Sequence, residues 1–230
     1  MYQAALGTLE RIGVNDQAST YTERMNLFTY KRCEICQAEV FHAHPFCQTC
    51  FNQLRELQVA ERLERSDYVI FSLFSYAGDI QDLIQRMKFQ DQRFLSAVFA
   101  TMIVTFLKTN DLPVDAVSYI PMYDRKRRVR GYDQAKDLAE EVGKQLQIPC
   151  VKLLKRTKMT QSLYKLGRLE RRRILEGSMA VVAQKPPGYV MIIDDILTTG
   201  ATIDTCAKAL TQSGIEEYFF LVVAKAIQNG

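Results

Sequence analysis

The run 190–202, Val-Met-Ile-Ile-Asp-Asp-Ile-Leu-Thr-Thr-Gly-Ala-Thr, constrains this chain more than any other segment. Its apolar start reads as a buried strand, Asp194 and Asp195 end that strand, and Thr198, Thr199, Gly200, Ala201 and Thr202 lead into a helix. Backbone N–H groups at a helix N-terminus, with Thr hydroxyls and a glycine that permits close approach, form a cradle for an anion the size of a monophosphate. Adjacent carboxylates at the end of a buried strand repel each other unless sugar hydroxyls, a cation or basic side chains compensate. The pattern points to a phosphorylated sugar. The plainer alternative, an N-capped helix after a strand, needs only one capping residue and leaves the rest without a purpose.

Around this run the periodicity alternates. Strands are predicted over 68–74, 114–120, 151–154, 179–183, 189–193 and 219–224, and helices over 51–65, 77–87, 93–108, 131–147 and 201–213. Alternation of this kind implies an α/β fold, a mainly parallel sheet with helices on both faces, whose ligands sit at the carboxyl ends of the strands. A composition of 47% hydrophobic and 24% charged residues excludes a wholly disordered or collagen-like chain. No apolar run approaches the ~18 residues of a membrane span, and residues 1–20 lack the pattern of a secretory leader. The expectation is a cytoplasmic protein without membrane insertion.

Six cysteines in a reducing compartment are poor candidates for a disulfide framework. Their spacing suits a metal instead. Cys33 and Cys36 form one C-x2-C pair and Cys47 and Cys50 a second, and the ten residues between let two knuckles fold onto one tetrahedral ion. Four thiolates fit a structural Zn2+, because the closed shell leaves no position for substrate or activated water. His42 and His44 lie in the intervening loop, either as a substitute ligand or facing solvent. Residues 1–24 read as a weakly ordered extension. They are either native or an upstream artefact of a start at Met25.

The net charge of +4 conceals a strong asymmetry. Residues 121–173 hold 16 Lys and Arg against 6 Asp and Glu, and the remainder holds 14 against 20. One basic run, with Arg125, Lys126, Arg127, Arg128 and Arg130, precedes the helix 131–147; another runs from Lys155 to Arg173. Such guanidinium groups either clamp a pyrophosphate, follow a nucleic-acid backbone, or line a solvated helix face.

The run 190–202 resembles the phosphoribosyl pyrophosphate (PRPP) signature of type I phosphoribosyltransferases, aligning over thirteen residues without a gap. The resemblance implies that Asp194 and Asp195 contact the ribose hydroxyls and that residues 198–202 bind the 5′-phosphate. It also implies a pyrophosphate loop after an earlier strand, here at Met122, Tyr123 and Asp124, and Mg2+ bridging the pyrophosphate oxygens. One departure bears on chemistry. The purine-salvage branch carries an acid where this chain has Thr198, and a threonine is no general base near neutral pH, which argues against that branch's mechanism. No residue is assigned as catalytic.

The whole set of motifs is similar to the ComF family, ComFC-like proteins of bacterial DNA uptake that join a four-cysteine zinc finger to a phosphoribosyltransferase domain. The motifs are Arg130-Gly131-Tyr132-Asp133-Gln134-Ala135, Arg156-Thr157 with Gln161 and Leu163, Glu170-Arg171-Arg172, and the stretch from Tyr76-Ala77-Gly78 to Lys88-Phe89. Asp133 stands where that family often has asparagine. The implied layout is an extension at 1–24, a zinc finger with a linking helix at 25–66 and a phosphoribosyltransferase-like domain at 67–230. The implied role is natural transformation: binding PRPP and handling incoming single-stranded DNA together with a ComFA-like helicase. The other implied activity is transfer of phosphoribose from PRPP to a nucleobase-like acceptor, with residues 155–173 as a mobile cover that excludes water.

Overall fold

The computed structural model describes residues 32–40, 45–157, 177–184, 186 and 188–227. The expected extension 1–24 and Met25, His42 and His44, and most of the expected cover, including Arg168, Arg171, Arg172 and Arg173, lie outside them.

The order of elements is α1 (Gln48–Glu56), β1 (Gln58–Glu64), β2 (Val69–Ser75), α2 (Gly78–Phe89), α3 (Phe94–Thr109), β3 (Ala116–Tyr119), α4 (Asp124–Arg130), α5 (Gln134–Leu146), β4 (Leu154–Arg156), β5 (Met179–Val181), β6 (Val190–Leu197), α6 (Ala201–Gln212) and β7 (Tyr218–Lys225). Five strands form one sheet in the order β1-β2-β7-β6-β3. All neighbours in it are parallel except β1 and β2. β4 and β5 pair antiparallel in a separate two-stranded sheet. The expected architecture, a mainly parallel sheet flanked by helices with a small four-cysteine module at its N-terminal side, is the one observed.

Strand periodicity divides the core in two. Met191, Ile193, Phe219 and Leu221 face one layer, with Leu83 and Met87 of α2, Phe99 of α3 and Leu138 of α5. Val190, Ile192, Phe220 and Val222 face the other, with Ile203, Cys206 and Leu210 of α6 and Leu153, Leu154 and Met179 beside β4 and β5. Each of these fully buried large side chains stabilises the fold by roughly 1.5–3 kcal/mol. Cys33, Phe46, Cys50 and Leu54 of the cysteine module belong to the first layer, so module and sheet share one core.

Three elements differ from the sequence reading. The segment 51–65 is not one helix: α1 ends at Glu56, and Gln58–Glu64 is a strand antiparallel to β2. β2 is buried along most of its length, and its outer backbone groups need partners that only a strand supplies. A break in register between Gln58 and Glu61, with Ala60 at φ 42°, bends β1 along that edge, and Glu61 pairs with Lys225 of β7 at 2.5 Å. The helix expected at 131–147 starts at Gln134, because Gly131 at φ 86° ends the separate helix α4 that the basic run forms. Finally, β6 does not stop before the carboxylates. Asp194, Ile196 and Leu197 remain paired with β7.

Candidate functional site

β6 outruns its neighbour. β3 pairs with it only from Val190 to Ile193, Ile120 donates its N–H to the Ile193 carbonyl at 2.9 Å, and Pro121 has no N–H with which to continue. Past Ile193, β6 is paired only with β7. The gap opens at the carboxyl ends of the strands, where parallel sheets hold their ligands.

Asp194 and Asp195 stand at this gap and, being consecutive in a strand, turn to opposite faces. Asp195, buried, lies on the α2 and α5 side: Lys88 Nζ is 2.9 Å from its Oδ1, and Gln134 Nε2 donates to its Oδ2 at 2.7 Å. The Oε1 of Gln134 accepts from Arg130 Nη1 at 2.6 Å, and the Arg130 guanidinium lies 4.9 Å from the centre of the Phe89 ring. A continuous polar chain therefore runs from α4 through α5 to β6 and back to the end of α2. Asp194, half-buried, accepts from the backbone N–H of Asp195 at 2.9 Å. Burial, and then the neighbouring Asp195 charge, push its carboxyl up to about 8, against the opposing pull of Lys88 and Arg156. A carboxyl placed this way gains from any ligand that brings hydroxyl donors or positive charge to it.

Thr198 is exposed and Thr199 half-buried, and Gly200 turns the chain at φ 80° into α6. The N-cap residue Gly200 supplies no side-chain capping bond to the first N–H groups of α6. A Cβ at Gly200 meets nothing nearer than Leu197 Cδ1 at 3.7 Å, which makes the requirement for glycine one of backbone conformation. Ala201 is buried and Thr202 half-buried in the first turn of α6.

Met122 and Tyr123 lie between β3 and α4, while Asp124, Arg125, Arg127, Arg128 and Arg130 lie on α4. Asp133 governs this loop. Its Oδ2 accepts from the Met122 N–H at 3.0 Å, and its Oδ1 caps α5 through the Lys136 N–H at 3.5 Å. An asparagine would offer one acceptor oxygen for these two donors in place of two. Burial raises the Asp133 carboxyl above its ordinary value. Arg156, on β4, donates to the Pro121 carbonyl at 3.3 Å, and its burial lowers its basicity. Thus Arg156 and the loop after β3 meet, although 35 residues separate Arg156 from Pro121. Lys88 and Gln134 had no assigned role in the sequence reading, and Arg156 had one only as part of the basic run 155–173. All three fell within quoted motifs, but Lys88 reaches Asp195 only through the tertiary fold.

The four module cysteines converge. Their sulfur atoms lie within 4.8 Å of one another, and the Cys36 and Cys47 sulfurs are 3.7 Å apart. Four Zn–S bonds of ~2.3 Å in a tetrahedron require sulfurs ~3.8 Å apart, so the donor set fits structural zinc. Burial opposes ionisation of Cys33, but backbone hydrogen bonds from Cys36, Cys47 and Ile35 outweigh it and bring the thiol down to about 6. Burial pushes Cys50 well above the ordinary thiol range. Cys47 also caps α1 by accepting from the Cys50 N–H at 3.5 Å. Arg86 of α2 binds both the carboxylate and the carbonyl of Glu34, fastening the first knuckle to the helix that ends at Lys88 and Phe89.

The sheet and the cysteine module define a mainly parallel α/β protein with an N-terminal four-cysteine module, and the turn at the end of β6 carries the residues that resemble the phosphoribosyltransferase signature. No protein-family model matches the chain. It is 27% identical to Competence protein F of Haemophilus influenzae over 224 residues, covering 94% of this chain and 93% of that one. It is 26% identical to Competence protein ComFC of Streptococcus pneumoniae over 146 residues, 64% of this chain and 63% of that one. Among solved structures it is similar to adenine phosphoribosyltransferase from Leishmania tarentolae, at 12% identity and a TM-score of 0.41 over 72% of this chain and 94% of that one. These relatives and the motifs make the chain similar to ComF-family proteins. Among the described residues, no helix is long and apolar enough to cross a membrane.

Proposed function

We propose that this chain is a ComFC-like protein of natural transformation, which binds PRPP in the gap at the end of β6 and acts on incoming single-stranded DNA in the cytoplasm, beside a ComFA-like helicase. The observation that carries this reading is the arrangement at Asp194 and Asp195. The two carboxylates turn to opposite faces where β3 has stopped, with Lys88 and Gln134 on Asp195 and the start of α6 a few residues further along the chain. In this reading Asp194 and Asp195 take the ribose hydroxyls, residues 198–202 take the 5′-phosphate through backbone N–H groups and Thr hydroxyls, and the loop at Met122, Tyr123 and Asp124 faces the pyrophosphate. Mg2+ would be held mainly by pyrophosphate oxygens and would neutralise their charge, so few protein ligands are needed.

Helix α4 supports the DNA half of the proposal. Arg125, Arg127 and Arg128 are exposed on it, and the ion pair of Arg127 with Asp124 at 3.3 Å is a surface pair of little strength. The test is binding of both ligands by one purified chain. PRPP with Mg2+ is expected to bind. A fluorescent oligothymidylate is expected to bind with an affinity that falls steeply with salt and weakens on Arg127→Glu with Arg128→Glu. A chain that binds neither ligand, or DNA binding indifferent to salt, contradicts the reading.

A further inference from the structure

We infer that the cleft between the end of α2 and helix α4 is a docking site for an unpaired nucleobase of a single-stranded nucleic acid, stacked on Phe89 with its flanking phosphates on Arg125 and Arg130. This rests on the single-strand reading above and names the site through which that reading operates.

Two apolar side chains are left in solvent at this place. Phe89 is 70% exposed at the last position of α2, and Val129 is 85% exposed on α4. Both line one cleft of about 560 Å³, a volume within the range of small-ligand sites. The cleft also holds Lys88, Arg125, Arg130 and Tyr132, and Asp91 is the only acid among its lining residues. Three cations against one acid, around an exposed ring, suit a ligand that is both flat and polyanionic. The ring is also held in place. The Arg130 guanidinium covers one face of Phe89 at 4.9 Å, and Gln134 fixes Arg130 in turn. Lys88, the preceding residue, is anchored on Asp195, and the Met87 carbonyl accepts from the Tyr132 hydroxyl at 2.8 Å. With one face taken by Arg130 and most of the side chain in solvent, the other face is open to a base. Aromatic platforms beside basic grooves bind single strands in this manner, with little sequence preference. A duplex keeps its base faces stacked internally and cannot offer one. A protein partner would suit the apolar pair but gives no reason for three cations around the ring.

The experiment measures binding of fluorescent oligothymidylate to the full chain as wild type, Phe89→Ala and Phe89→Trp. Phe89→Ala is expected to weaken binding about ten-fold with the same slope against log salt, because no phosphate contact is lost. Phe89→Trp is expected to restore it, and the exposure of the site keeps the melting temperature unchanged. Wild-type affinity in Phe89→Ala, or a duplex of equal length bound as tightly as the single strand, overturns this inference and leaves the single-strand reading standing. Absence of single-strand binding in the wild type overturns both.

Discussion

Gln134 donates its side-chain amide to Asp195 across 2.7 Å while accepting from Arg130 across 2.6 Å, so one buried amide orients a carboxylate of the candidate pocket and ties it to the basic helix. Lys88 supplies the other half of the Asp195 environment. The relationship explains why residues spread from α2 to β6 behave as one site.

Gln134→Leu removes this bridge and leaves polar partners in a buried place, at a cost of about 1–3 kcal/mol, or a few degrees of melting temperature. Gln134→Glu is expected to be worse, because it sets a second carboxylate against Asp195. Calorimetric melting of the two variants checks both statements, and a Gln134→Glu protein as stable as wild type would contradict the bridge.

Stability is expected to carry the signature of Asp194. Its carboxyl is raised to about 8 in the folded chain, so the folded state holds a proton that the unfolded state has released. The associated stability is fully present below the ordinary carboxylate range and is lost as pH rises through about 8. Asp194→Asn keeps the neutral form at every pH. Its melting temperature should match wild type near pH 4, then exceed it by a growing margin up to about pH 9; a margin that shrinks with pH contradicts the assignment.

Purified protein is expected to hold about one zinc per chain on Cys33, Cys36, Cys47 and Cys50. Cys47→Ser removes a thiolate ligand while its hydroxyl can still cap α1, so zinc content should fall and, through the lost ligand, the melting temperature with it. The shared core extends the loss to the sheet. A folded wild type free of zinc would refute the metal site.

Much of this was legible from local pattern, for definite reasons. Residues 190–202 show strand, carboxylates, glycine and helix in direct succession, and two C-x2-C pairs specify a four-thiolate cluster by spacing alone. What escaped was set by tertiary contact. Leu57 and Leu63 fit a helical stripe, yet the open edge of β2 made a strand of 58–64. The basic run reads only as preceding the helix 131–147, yet it forms a helix of its own that ends at the turn at Gly131. Lys88 and Arg156 stood within quoted motifs, but their contacts with Asp195 and Pro121 arise only because α2 and β4 pack around the end of β6.

The central claim is that Asp194 and Asp195 at the end of β6 form a PRPP pocket. Calorimetric titration of PRPP with Mg2+ into wild type, Asp194→Asn and Asp195→Asn tests it most directly. The expected result is saturable binding by the wild type and at least about ten-fold weaker binding by each variant, corresponding to ~1.4 kcal/mol, with zinc content retained and no loss of melting temperature in Asp194→Asn. Equal affinity in all three proteins would contradict the account.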